Sequence, residues 1–197
     1  MALTKVTDTV LYAIASTASN TVDEGSAVDV STYYECDIGI NVGRGTGTAF
    51  TVGPRIMLQK TYKTSPTADD WVTEMVWTVA LGASIGSQAV SGTEAAGQTV
   101  VTLAAGTNFA AADYVFFHNT TIANSEWSRV QSVSSADLTL AEAIVNAQTG
   151  ATCRDQAEEY SYTMSLLGVQ KLRIVVDGAG SGQAVIVRGR LGAVSAL

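Results

Sequence analysis

Apolar and polar residues alternate along much of this chain with a period of two. In Tyr34-Glu35-Cys36-Asp37-Ile38-Gly39-Ile40-Asn41-Val42, one set carries Tyr34, Cys36, Ile38, Ile40 and Val42. The other set is Glu35, Asp37, Gly39 and Asn41. Successive side chains of a strand point to opposite faces, so this pattern predicts a strand with one buried and one solvated face. Gly43-Arg44-Gly45-Thr46-Gly47 then reads as a turn, and extended structure resumes over 48–52. Further strands are predicted at 56–62, 72–81, 160–167, 171–176 and 183–191. Helical periodicity is weak, and Gly, Ser and Thr turns separate the strands. The pattern predicts an all-β sandwich or barrel.

The middle of the chain changes character. A small-residue stretch, GSQAVSGTEAAG, is followed by a compact series of short strands at 99–103, 114–118, 126–133, 137–140 and 151–154. Five short strands at such spacing are the size of a small SH3-like barrel. Longer strands return after Asp155. The reading is an inserted module at 88–156 within a parent sandwich formed by 1–87 and 157–197, because insertions into surface loops cost little. The N-terminal stretch 9–15 reads as an edge strand or a short helix, and 16–26 as a loop. An arm reaching a neighbouring subunit is one role for it; a first strand of the same sandwich is the plainer one.

Gly178, Gly180 and Gly182 fall within five positions, which raises the question of a phosphate cradle. Such a cradle needs a helix starting directly after the glycines. Here Gln183-Ala184-Val185-Ile186-Val187 follows, dense in β-branched residues and without a helix cap. The Walker lysine and the third glycine of the dinucleotide fingerprint are both missing. The stretch therefore reads as a hairpin loop in which glycine supplies positive φ.

Composition narrows the function classes. Eleven Lys plus Arg face 18 Asp plus Glu, a formal charge of −7 over 197 residues. That balance repels nucleic acid, and no basic cluster overrides it; Arg188 and Arg190 are an alternating pair on one strand face. Hydrophobic residues make up 47 %, but no apolar run approaches the roughly 20 residues of a membrane helix. The N-terminus lacks the basic-then-apolar pattern of a secretory signal. Cys36 and Cys153 are far apart and outside any CxxC spacing, and Cys36 falls on the apolar face as a small core residue.

Reactive constellations are not found in the pattern. The single histidine, His118, has no nucleophile or orienting partner at recognisable spacing. One histidine and two distant cysteines do not make a zinc site of usual composition. The pairs Asp23-Glu24, Asp69-Asp70 and Glu158-Glu159 put neighbours on opposite strand faces, so adjacency does not build a paired-carboxylate site. No Asp-x-Asp-x-Asp-Gly calcium pattern and no GxSxG elbow occurs. Trp77 and Trp127 read as core or semi-buried, and Trp71, after the 67–70 loop, as the best candidate for exposure. Asn119-Thr120-Thr121 fits a glycosylation sequon, which has little meaning without a secretory signal. These absences point to binding and assembly: not an enzyme, with no cofactor and no metal.

A family resemblance joins these observations. Val28-Asp29-Val30-Ser31-Thr32-Tyr33, the alternating strand to Val42, Gly45-Thr46-Gly47-Thr48, and Lys63-Thr64-Ser65-Pro66-Thr67-Ala68-Asp69-Asp70-Trp71 resemble, in that order, β-sandwich proteins of tailed-bacteriophage virions. Leu172-Arg173-Ile174-Val175-Val176-Asp177-Gly178 with Ala184-Val185-Ile186-Val187-Arg188-Gly189-Arg190-Leu191 is similar to their final hairpin. Glu126-Trp127-Ser128-Arg129-Val130-Gln131-Ser132-Val133 with Leu138-Thr139-Leu140 resembles small barrels that recur in such proteins. The resemblance implies a jelly-roll-like antiparallel β-sandwich carrying the SH3-like module, and a capsid decoration (cement) protein on the outer surface of the virion, made in the host cytoplasm. Its partners would be the major capsid protein and further copies of itself, as trimer or dimer. The expected partner contacts are Leu3, Val6, Val10, Leu11, Tyr12 and Trp71. A tail, neck or baseplate component and a glycan-binding module are the rivals.

Overall fold

The computed structural model describes residues 3–82, 86–105 and 108–196, with the backbone alone at 3–8 and 195–196. It is almost entirely β. The strands in chain order are β1 (Leu3–Thr17), β2 (Val22–Glu24), β3 (Val28–Asp29), β4 (Tyr33–Arg44), β5 (Arg55–Thr61) and β6 (Val72–Thr78). Then come β7 (Ser87–Ala89), β8 (Thr93–Glu94), β9 (Val100–Thr102), β10 (Tyr114–His118), β11 (Glu126–Ser134) and β12 (Asp137–Leu140). The chain ends with β13 (Gln148–Thr149), β14 (Thr152–Arg154), β15 (Glu158–Ser165), β16 (Lys171–Asp177) and β17 (Val185–Ala196). Two single 3₁₀ turns, Ala68–Asp70 and Ile122–Asn124, interrupt them.

Two sheets form the sandwich. One has the order β1-β17-β4-β15, the other β2-β16-β5-β6, and β3 extends β2 along the same edge of β16. All these pairings are antiparallel. Taking β2 and β3 as one interrupted strand, the sandwich strands run 1-8-3-6 in one sheet and 2-7-4-5 in the other. That order is a jelly roll, two Greek keys folded over a common core. Leu11, Ile38, Ile40, Val42, Val187 and Leu191 from the first sheet meet Ile56, Leu58, Leu172, Ile174 and Val176 from the second. The alternation in β4 puts Cys36, Ile38, Ile40 and Val42 into this core, as the period-two pattern predicts.

Between β6 and β15, the fifth and sixth sandwich strands, lies a six-stranded sheet of order β7-β14-β10-β11-β12-β9, with β8 and β13 as a separate ladder. The Val90–Leu103 bridge and the Ser91 amide bonded to Thr102 O tie its two outer strands together, so the sheet curls onto itself. It has its own core of Val101, Leu103, Val115, Phe117, Val130, Leu138, Leu140 and Cys153. The chain leaves and returns at one point: the Asp155 amide donates to Gly86 O at 3.1 Å, and the Gly86 amide donates to the Asp155 carboxylate at 2.8 Å.

Four sequence expectations change. Tyr34 is exposed, because β4 carries an extra residue opposite Val194 and Ser195; that bulge takes Tyr34 out of the alternation. Residues 48–52 form no strand. Phe50 anchors them in the core, and their backbone bonds to Leu81, Ser181 and the Gln183 side chain replace a ladder. The Gly178–Gly182 loop is not a hairpin: β16 and β17 lie in different sheets, so it crosses the sandwich edge. The 16–26 loop contains the end of β1 and all of β2.

Candidate functional site

The strands between β6 and β15 fold back against the outer face of the β1-β17-β4-β15 sheet. Phe116 and Trp127, with ring centroids 4.7 Å apart, bury Ile186 of β17, with Ile14 and Tyr114 at the margin. The ring of Phe116 sits over Gly43, where an added Cβ would come within 2.4 Å of it. A glycine is therefore required near the end of β4 for reasons of close approach. A second tie is polar: Arg154 donates from Nη1 to Arg44 O at 3.1 Å, and Arg44 donates to Leu81 O and Ala80 O at 2.8 and 3.2 Å. Arg44 also covers the Phe50 ring at 4.5 Å. Both guanidiniums are buried, and desolvation lowers their pKa values.

Beside this seam the two surfaces diverge into a cleft of about 520 Å³. Its floor is the sheet face at Gly39, Asn41, Glu159, Arg188 and Arg190, and its far wall is residues 141–145. Alternation places Asn41, Arg188 and Glu159 side by side across β4, β17 and β15. Arg188 donates to Asn41 Oδ1 from Nε and Nη2 at 3.1 and 2.7 Å, and lies 4.9 Å from the Trp127 ring centre. Asn41 Nδ2 donates to the Tyr114 hydroxyl at 2.7 Å. Arg129 covers the Tyr114 ring at 5.0 Å and meets Glu159 at 3.4 Å. Burial, then the charge of Glu159, pushes the Tyr114 hydroxyl up to about 12. The far wall is held by Glu126, whose carboxylate accepts from the Val145 amide at 2.8 Å and the Asn146 amide at 3.4 Å. Gln148 adds a third donor and joins Asn119 at 3.2 Å.

The sequence-derived contact residues do not converge. Leu3 and Val6 lie on β1, with side chains outside the described residues. Leu11 and Tyr12 are buried in the sandwich core, and the Tyr12 hydroxyl donates to Asp23. Val10, directly before them in sequence, is 56 % exposed on the edge strand. Trp71 sits at the opposite edge of the sandwich, half-buried under the Arg173 guanidinium at 4.4 Å. Trp127 is buried at the seam. Trp127 therefore offers no open ring face for a sugar.

The other motifs have structural uses. The glycine loop's amides are taken by the 18–21 turn: Gly178 donates to Thr21 O, Gly180 to Ser19 O and Gly182 to Ser19 Oγ. His118 stacks on Phe116, and burial followed by Arg154 lowers its pKa. Asn119 is buried and bonded to Ala147 O and the Thr121 amide, which closes the sequon. Glu24 pairs with Arg173, Asp70 with Lys63, and Glu158 with the Ala80 amide. Among the described residues, no three His, Cys, Asp or Glu side chains gather as a metal site. No described helix is long and apolar enough to cross a membrane. The cleft was missed in sequence because it joins residues 39–41, 114–145, 159 and 188–190. Its one linear trace is the Arg188 and Arg190 alternation.

No protein-family model matches this chain, and no curated protein matches it. One solved structure, "Structure of infectious bursal disease virus Gx strain", is similar at 7 % identity and a TM-score of 0.26. The match covers 99 % of this chain and 41 % of that one, so the chain spans less than half of that protein's length. A likeness at that score carries no argument here.

Proposed function

We propose that this chain is a virion structural protein that decorates the outer surface of an assembled capsid, without enzymatic activity. The observation that carries the reading is the jelly-roll order itself, 1-8-3-6 over 2-7-4-5, with a small barrel carried between the fifth and sixth strands. Jelly rolls recur in viral capsid and lectin domains. The resemblance to tailed-phage sandwich proteins supports the same conclusion from the sequence side: its opening motif covers β3 and the start of β4, and its closing motif covers β16 and β17. On this reading, residues 88–156 form a module on a parent sandwich of 1–87 and 157–197. The major capsid protein is the partner, and the copies associate as trimers or dimers to match the lattice. A binder that attaches only to the assembled shell stabilises that state by mass action.

Quantitative mass spectrometry of purified virus particles tests this. A copy number in fixed proportion to the major capsid protein is the expected result. A small ring-like number moves the chain to the tail, neck or baseplate, and complete absence overturns the virion reading.

A further inference from the structure

We propose that two copies of this chain join through β15, edge to edge about a two-fold axis, so that their β1-β17-β4-β15 sheets become one continuous sheet. An unpaired strand edge invites another strand, and folded proteins blunt such edges with bulges, breaks, charges or short length. The other sandwich edges of this molecule are blunted. β1 shifts register against β17 at three places and carries Lys5 and Asp8. β2 and β3 are only 3 and 2 residues long. β6 carries Glu74 as an extra residue, since Met75 lies opposite Leu58 and Thr73 opposite Gln59. β15 has none of these devices along most of its length. It runs for 8 residues in unbroken register with β4. Its stretch Tyr160-Ser161-Tyr162-Thr163-Met164-Ser165 contains no charge, proline or glycine. It is the last strand of its sheet, and no described strand pairs beyond it.

The strand itself specifies its occupant. The Leu166 amide donates to Tyr34 O at 2.7 Å, on the β4 side. Bonding direction alternates along a strand, so Tyr160, Tyr162 and Met164 also bond towards β4. Glu159, Ser161, Thr163 and Ser165 then turn their N–H and C=O groups to the open edge. The Ala157 amide, in phase with them, reaches the other way to Tyr114 O at 3.1 Å. A two-fold axis at Tyr162 puts Glu159 opposite Ser165 of the second copy, and Ser161 opposite its Thr163. Every edge-facing position then meets an edge-facing position, as an antiparallel ladder requires, and no like charges stand opposite. On the inner face Tyr162 meets its own counterpart, and Tyr160 meets Met164. Both tyrosines are half-buried at the open side of the sandwich, with the Trp77 ring 6.1 Å from Tyr160 and 6.3 Å from Tyr162. Cross-strand aromatic pairs bury such surface. A foreign strand would need its own match to this pattern; a second copy carries it, and two-fold pairing of one patch with itself closes the assembly. The inference goes beyond the decoration reading and stands without it. The dimer is expected of the isolated chain in buffer, and its absence leaves the copy-number test untouched.

Sedimentation velocity of the full chain over a range of concentrations, in reducing buffer, tests the proposal. The expected result is a reversible equilibrium between monomer and a species of twice its mass. Ser161→Pro removes an N–H that faces the open edge and leaves the bonds to β4 in place. Thr163→Lys puts a charge on the same edge, and serves as the second variant should the first fold poorly. Each should weaken association about tenfold or more with an unchanged thermal transition, whereas Val10→Lys on the blunted β1 edge should leave the dimer intact. A chain that stays monomeric up to millimolar concentration overturns the proposal. So does a trimer, a dimer that neither β15 variant weakens, or a dimer that Val10→Lys weakens as much as they do.

Discussion

At the level of single residues, Gly43 carries more of this structure than the glycine run that stands out in the sequence. Gly178, Gly180 and Gly182 shape one connection, whereas Gly43 lets Phe116 reach the sheet. Gly43→Val should displace that ring and destabilise the protein by about 1–3 kcal/mol, as overpacking does. Urea unfolding followed through Trp127 fluorescence measures it, and an unchanged midpoint would refute the contact's role. Nothing in the local pattern marks Gly43, because its partner is 73 positions away; it reads as part of a turn. Buried thiol and phenol groups give a second expectation. Burial, then Asp37 and Glu35, pushes Cys36 from 9.0 up to about 12, and Tyr114 moves from 10.0 to about 12. The folded state keeps these protons where the unfolded chain loses them. Their contribution is whole below pH 9.0 and is lost as pH rises towards 12. Denaturant midpoints measured in reducing buffer should therefore decline across that alkaline window, and Tyr114→Phe should flatten the upper part of the decline.

Elements were legible where one face is buried and the other wet. β4, β5, β10, β12 and β16 lie within a residue or two of their expected bounds, because strict alternation or a compact apolar run fixes them. The short strands β2, β3, β7, β8 and β13 were not legible, since two or three residues cannot show a period. The β16–β17 connection looked like a hairpin because local turn chemistry is the same whether the strands pair or part. β1 was left between strand and arm; it is the first sandwich strand, paired along its length with β17 and burying Leu11 and Tyr12. Removing residues 1–15 should therefore abolish folding, not merely detach a tail, and circular dichroism of the truncated chain checks this. The exposed side of the same strand calls for a gentler probe. Val10→Asp should leave the melting temperature within a few degrees, the usual range for an exposed substitution, and weaken particle association only if this edge docks. The element that forms the cleft wall depends on a buried carboxylate. Glu126→Ala leaves the Val145 and Asn146 amides without their acceptor and should cost about 1–3 kcal/mol.

For the whole molecule, the sandwich and the inserted strands each have a core, and the seam between them decides whether they behave as one body. The change from long to short strands after residue 86 made the insertion legible, and so did the return of long strands after Asp155. Its attitude was not: a barrel projecting from a loop and one lying on the sheet share the same alternation. The choice is made by Phe116, Trp127 and Ile186, apolar side chains of β10, β11 and β17 that no local rule assigns to one cluster. A projecting barrel would leave these three in water. Because the Asp155 amide donates to Gly86 O and the Gly86 amide to the Asp155 carboxylate, residues 87–154 can be replaced by a short Gly-Ser bridge without stretching the sandwich. The excised chain should retain the β1–β17–β4–β15 ladder but expose Ile186 and Ile14, and so aggregate or bind the dye ANS where the full chain does not. Adding Ile186→Thr to the excised chain should restore solubility, and size-exclusion chromatography of the two forms reads the difference. Equal behaviour of both would mean the seam is not what the sandwich needs covered. If the excised, soluble sandwich still bound particles in proportion to the full chain, the jelly roll alone would hold the docking surface, leaving the barrel and its cleft free to face outward.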